Sequence, residues 1–196
     1  MHYRDFSYEE EEPSLWIFGY GSLIWNPGFN HDGQHKAYAR GFARRMYQGN
    51  TFHRGDEQLP GRVATLIEHP SAYASGVVFR VDGVTGISKA VAHLKERELD
   101  NGYEFRMVPV DIVFDSDDED TVNIMALTCI ARRDNQFYLG PDNVTKMAKE
   151  ICIAKGRAGP NHEYVLKLAE HVRRLFPEEE DDHLFELESL IRTTSS

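Results

Sequence analysis

Leu15-Trp16-Ile17-Phe18-Gly19-Tyr20-Gly21-Ser22-Leu23 begins with four apolar residues and then breaks on glycine. That is the pattern of a short strand, apolar on both faces, ended by a turn. Working outward, alternating or β-branched segments recur at Tyr38–Tyr47, Arg62–Ile67, Gly76–Val81, Glu104–Phe114 and Val122–Ala131. Six strand candidates with Gly- and Pro-rich joints predict a small barrel or strongly curled sheet. The last third reads as helix instead. Pro141–Lys155 has proline in its first turn and stops at Gly156; Asn161–Phe176 opens on an asparagine cap and ends before Pro177; Asp181–Arg192 carries Leu184, Leu187 and Ile191 on one face. The expected class is α+β, a small curled β-barrel with surrounding helices.

The 196 residues argue for one domain, since domains cluster at about 100–150 residues and rarely split below about 250. With 41% hydrophobic residues there is material for a core. Lys+Arg number 22 against Asp+Glu 32, a net charge of −10, which repels phosphate backbones and anionic lipid; no nucleic-acid and no membrane partner is expected. Residues 1–14 carry Glu9 to Glu12 and read as an acidic flexible tail ahead of a single domain over 15–192, with no signal or transit pattern, so a cytosolic location is expected. The acidic blocks Asp115–Asp120 and Glu178–Asp182 read as solvated loops, since neither has the ligand spacing of a calcium loop. Two cysteines, Cys129 and Cys152, give no disulfide framework and no thiolate metal site, and both read as buried small hydrophobes.

One helix interrupts the strands. Between Gly86 and Asp100 the apolar positions Ile87, Ala90, Val91 and Leu94 define one face. At about 100° per residue, Glu98 lies roughly 40° from Leu94 and 20° from both Val91 and Ile87, so it continues that face, whereas Glu96 points away. A carboxylate on an apolar face either covers the core with its stem while its head meets Arg97, Arg106 or a backbone N–H, or it is held there for its chemistry.

The glycines after the first strand permit positive φ, allow close approach of a ligand to the main chain, and can arrange successive N–H groups as an anion nest; a purely structural bend is the alternative. The segment is not a dinucleotide fingerprint, a phosphate-binding P-loop or a nucleophile elbow, because the required third glycine, Gly-Lys-Ser/Thr ending and flanking glycines are missing. His31 and His35 are four apart but separated by Asp32-Gly33, a turn, and complete no recognised metal set. Arg44-Arg45 and His53-Arg54 either steer a small anion or make ordinary cross-strand ion pairs.

Taken together, WIFGYGSLIWNPGF at 16–29, GFARRMYQGNTFHRG at 41–55, PGRVATLIE at 60–68, LKERELDNGY at 94–103, YLGP at 138–141 and NHEYVLKLA at 161–169 resemble the ChaC family, with FPEEEDDHLFELESLI resembling a smaller animal branch of it. The resemblance runs from residue 15 to about 192. It implies the gamma-glutamylcyclotransferase-like fold and cleavage of glutathione to 5-oxoproline and cysteinylglycine, without metal or cofactor. It further implies that Ile17, Phe18, Gly19, Tyr20, Gly21, Ser22 and Leu23 hold the gamma-glutamyl group and that Glu98 is the catalytic base. Tyr138 is a candidate for the Cys-Gly side of the pocket or else a core tyrosine.

Overall fold

A computed structural model describes residues 12–114 and 121–194. Five strands close into a barrel in the order β1-β3-β2-β4-β5, where β1 is Ser14–Gly19, β2 Gly33–Asn50, β3 Gly61–Asp82, β4 Tyr103–Val113 and β5 Thr121–Ala131. All neighbours are antiparallel except at the closing seam, where β1 meets β5 in parallel through the single pair Ile17↔Leu127. Two of the six strand candidates are therefore one: 62–67 and 76–81 belong to the 22-residue β3. Proline at position 70 does not break it, because residues 69–72 overhang the ladder to β2, whose pairs stop at Phe42↔Glu68 and resume at Arg40↔Tyr73. Opposite these four residues β2 has Gly41 alone, at φ +79, so the extra residues of this irregularity belong to β3.

The barrel interior (Phe18, Leu66, Val110, Ile112 and Ala126 among others) runs continuously into the faces of three helices, α2 Val144–Ile153, α3 Asn161–Leu175 and α4 Asp182–Thr194. A second cluster lies outside the barrel wall, where Ala90 and Leu94 of α1, Val84–Glu98, pack on Ile17, Val77, Phe79 and Val81. Leu94 is fully buried, worth about 1.5–3 kcal/mol, and this holds the C-terminal turn of α1 against the end of β1. A 3₁₀ turn over Leu99–Asn101 and Gly102 at φ +84 then send the chain back into β4.

Three local expectations are corrected. Residues 141–143 precede α2, whose cap is Asn143, accepting from the N–H of Thr145 and Lys146. Asn161 is the first residue of α3 and caps nothing; its buried amide reaches β3, accepting from Arg62 N–H at 2.7 Å and donating to Arg62 C=O at 2.9 Å. The block 178–182 is no simple solvated loop, since Asp181 caps α4 through Leu184 N–H and accepts from Arg44 Nε at 2.8 Å. The tail expected at 1–14 falls mostly, and the acidic block 115–120 wholly, outside the described residues. Among the described residues no helix is long and apolar enough to cross a membrane.

Candidate active site

The first strand carries the site because it ends where the barrel opens. Past Gly19 the chain turns through Tyr20 and Gly21 into a 3₁₀ turn, Ser22–Ile24. The turn is fastened across the seam: Thr128 Oγ1 donates to Phe18 C=O at 2.8 Å, and the Tyr20 hydroxyl donates to Cys129 C=O at 2.5 Å. Neither Gly19 nor Gly21 has positive φ, so the expectation of a left-handed glycine is corrected. Space is the reason for both. A Cβ at Gly19 would lie 2.5 Å from Leu23 Cβ, and one at Gly21 would lie 3.0 Å from the Tyr164 hydroxyl. The N–H groups of Ile24 and Trp25 return to Gly21 and Ser22 carbonyls. Those of Gly21, Ser22 and Leu23, ahead of the first turn, meet no acceptor among the described residues and remain available to an anionic ligand.

Glu98, the last residue of α1, enters the same cavity of about 790 Å³, which is within the range of small-molecule sites. Its side chain is 17% exposed. Burial pushes the carboxyl above the usual carboxylate range, and the neighbouring guanidinium of Arg97 opposes part of that rise. Arg97 Nε lies 2.8 Å from Glu98 Oε1; its other nitrogens donate to the Ser22 hydroxyl and, at 2.8 Å, to Asn26 C=O. One guanidinium thus fixes the carboxylate relative to the turn. Glu98 thus pairs with Arg97, as one reading expects, and also faces the cavity.

Three tyrosines complete the wall around the carboxylate. Tyr20 is committed to Cys129, and the Tyr103 hydroxyl donates to Ala64 C=O at 2.7 Å. Tyr164, from the first turns of α3, accepts from Ala64 N–H at 3.2 Å. Burial raises all three phenols, Tyr164 to about 12, so they stay protonated at neutral pH. Burial also pushes the Cys129 thiol up, leaving it a poor nucleophile although it lines the cavity.

Of the seven turn residues singled out, Phe18, Tyr20, Gly21, Ser22 and Leu23 line the cavity; Ile17 points into the cluster beneath α1, and Gly19 is covered by Leu23. Glu96 does not face away from the opening: its side chain is exposed but stands at the cavity rim. Arg44 steers nothing, being wholly buried, and donates to Asp181, Tyr20 C=O, Ser75 C=O and Ser75 Oγ. His53 and Arg54 do reach the rim. Tyr138 lies elsewhere, bridged to Gln48. His31 and His35 stack on Phe79 and on Trp16 and Phe114 respectively. Sequence reasoning named Arg97 as a partner for Glu98 and missed its bonds to Ser22 and Asn26, and it missed Tyr164. The signal for Tyr164 was a lone phenol in an otherwise aliphatic helix stripe, where a polar tip needs a partner.

A carboxylate of raised basicity beside unfilled N–H donors can bind an anionic group and accept a proton from its neighbour. Comparison with known proteins gives this geometry relatives. The family described as ChaC-like protein matches residues 15–194. Glutathione-specific gamma-glutamylcyclotransferase 1 of Danio rerio is 41% identical over 92% of this chain and 90% of its own length. Glutathione-specific gamma-glutamylcyclotransferase of Schizosaccharomyces pombe is 34% identical over 92% of this chain and 94% of its own. A crystal structure of a yeast gamma-glutamyl cyclotransferase specific to glutathione superposes with a TM-score of 0.85 at 26% identity, over 92% of this chain and 96% of that one.

Proposed function

The chain belongs to the ChaC family, and from that premise we propose that it is a gamma-glutamylcyclotransferase that cleaves glutathione to 5-oxoproline and cysteinylglycine. The observation that carries the reading is the meeting, in one cavity, of a desolvated carboxylate, Glu98, with the unfilled N–H groups of the 21–23 turn. We take residues 15–192 as one catalytic unit, supported by the shared core and the span of the family match.

The chemistry follows from the substrate. Its α-amine attacks its own γ-carbonyl carbon, a five-membered ring closes, and the C–N bond to cysteine breaks. The molecule supplies both nucleophile and leaving group, so atoms balance without water or any outside reactant. Because attack is intramolecular, the protein mainly has to select the folded-back conformer. An α-amine titrates near ~8 and is largely protonated at neutral pH. Glu98 takes that proton and passes it to the departing amine of cysteinylglycine, then takes the second proton that the ring nitrogen sheds as the lactam forms and yields it to the freed amine, which leaves as its ammonium. The turn donors hold the anionic end of the gamma-glutamyl group. Free thiols at Cys129 and Cys152 suit a reducing compartment, and we place the reaction in the cytosol.

Incubating the purified protein with glutathione and identifying the acid product tests this. 5-Oxoproline with cysteinylglycine is expected. Free glutamate would mean hydrolysis, and glutathione bound without product would mean a binding protein; either result overturns the proposal.

A further inference from the structure

We infer that the Tyr164 hydroxyl is a catalytic group, donating its proton in a hydrogen bond to the γ-carbonyl oxygen of the substrate as that oxygen gains charge. The inference rests on the cyclotransferase reading and names a residue that reading does not use.

Three phenols surround the cavity. Tyr20 donates to Cys129 C=O and Tyr103 donates to Ala64 C=O, so both protons are committed to the main chain. Tyr164 is the exception. Its oxygen accepts from Ala64 N–H at 3.2 Å, which leaves its own proton with no acceptor among the described residues. A phenol whose oxygen is already receiving a hydrogen bond is a better donor, and here it is buried, where such a donor is strongest. Its position also fits. The hydroxyl lies beside Gly21, where even a methyl group would stand 3.0 Å from it, so it shares a corner with the free N–H groups of the turn. The Glu98 charge is close enough to raise the phenol, yet Tyr164 makes no bond with that carboxylate. Both residues line the same cavity, so a reacting group bound there can meet the two of them.

Ring closure requires such a donor. As the amine adds to the γ-carbon, the C=O π pair moves onto oxygen; when the C–N bond to cysteine breaks, that pair re-forms the carbonyl, the proton held by Glu98 goes to the departing nitrogen, and Glu98 takes up the surplus proton of the ring nitrogen. The oxygen is within a bond or two of the amine throughout, so its donor must be a neighbour of Glu98 that does not itself titrate. Tyr164, raised to about 12, donates without surrendering its proton. The three turn N–H groups are then left for the α-carboxylate, a full charge that calls for several donors.

Steady-state kinetics of Tyr164→Phe tests the assignment. Loss of one such donor should lower kcat by about 10²–10³-fold with KM nearly unchanged. Binding is read separately with an analogue lacking the α-amine, glutaryl-cysteinylglycine, which cannot cyclise; its Kd should be nearly the same for wild type and variant. Incorporating 3-fluorotyrosine at 164 keeps the shape and the contact with Ala64 but makes the phenol more acidic, so the alkaline loss of kcat should set in at lower pH than in wild type, whereas a hydroxyl that only supports Ala64 would leave that limb in place. Wild-type kcat in Tyr164→Phe, a Kd that weakens as much as kcat falls, or an alkaline limb that fluorotyrosine leaves in place would each overturn the inference. If Tyr164→Phe does not fold, the fluorotyrosine protein decides alone. A wild-type protein that forms no 5-oxoproline removes the cyclotransferase reading first, before any variant is made.

Discussion

Two opposed influences meet at Glu98: burial raises its carboxyl, and Arg97, 2.8 Å away, lowers it, with burial the larger. The base must be ionised to work, so activity is lost as pH falls through the raised pKa. The acid limb of kcat/KM for 5-oxoproline formation should therefore lie above the ordinary carboxylate range. Arg97→Gln removes the opposing cation, and that limb should move to higher pH; a limb that stays put or moves down would show that Arg97 does not act on Glu98. Glu98→Gln keeps the volume but cannot accept the ammonium proton. Turnover should fall by about 10²–10⁴-fold while the variant remains folded by circular dichroism. A fully active Glu98→Gln protein would remove Glu98 from the mechanism.

Helix α3 brings Tyr164 to the cavity, and it is moored three residues earlier. The Asn161 amide makes a two-bond pair with the Arg62 main chain, as a neighbouring strand would. Asn161→Asp keeps the acceptor but sets an anion against the Arg62 carbonyl. The expected cost is about 1–3 kcal/mol by urea denaturation, accompanied by lower kcat as Tyr164 shifts. Unchanged stability would mean that the mooring is dispensable. This contact also marks the limit of what the sequence shows. Asparagine ahead of a helical stripe is the local signature of a cap, and nothing nearby reveals that its partner is 99 residues away. The strands were legible because alternation is local, and Glu98 was legible because its helix face can be counted out from Leu94. The joint between 62–67 and 76–81 misled, since proline at position 70 is harmless only because β3 carries four unpaired residues opposite Gly41. Arg97 was legible as a partner of Glu98, but its reach to Ser22 stayed hidden, because adjacency to Glu98 says nothing about a residue 75 positions back.

Across the whole molecule, Arg44 ties the parts together. From β2 it binds Tyr20 in the turn, Ser75 in β3 and Asp181 at the head of α4, with its side chain fully buried. Arg44→Met leaves the Asp181 carboxylate without its cation and three further acceptors without a donor. A loss of about 3–5 kcal/mol is expected from chemical denaturation, with a lower kcat because the Tyr20 carbonyl is released. A loss within the scatter of surface substitutions would mean that the network is not a clamp.

The single-pair seam between β1 and β5 has a consequence in time. During synthesis β1 emerges before the other four strands, yet its partners are residues 77–82 and 127, so it waits for most of the barrel to be made. Until then Leu15-Trp16-Ile17-Phe18 is an unpaired apolar edge, the kind of segment that seeks strands of other chains. Nascent chains arrested after residue 113 should bind hydrophobic dyes and chaperones strongly, and those extended past residue 131 should release them. The turn after β1, proposed above to hold the gamma-glutamyl group, thus adjoins an edge that stays open after β3 has paired, and a growing polypeptide must be shielded there until β5 arrives.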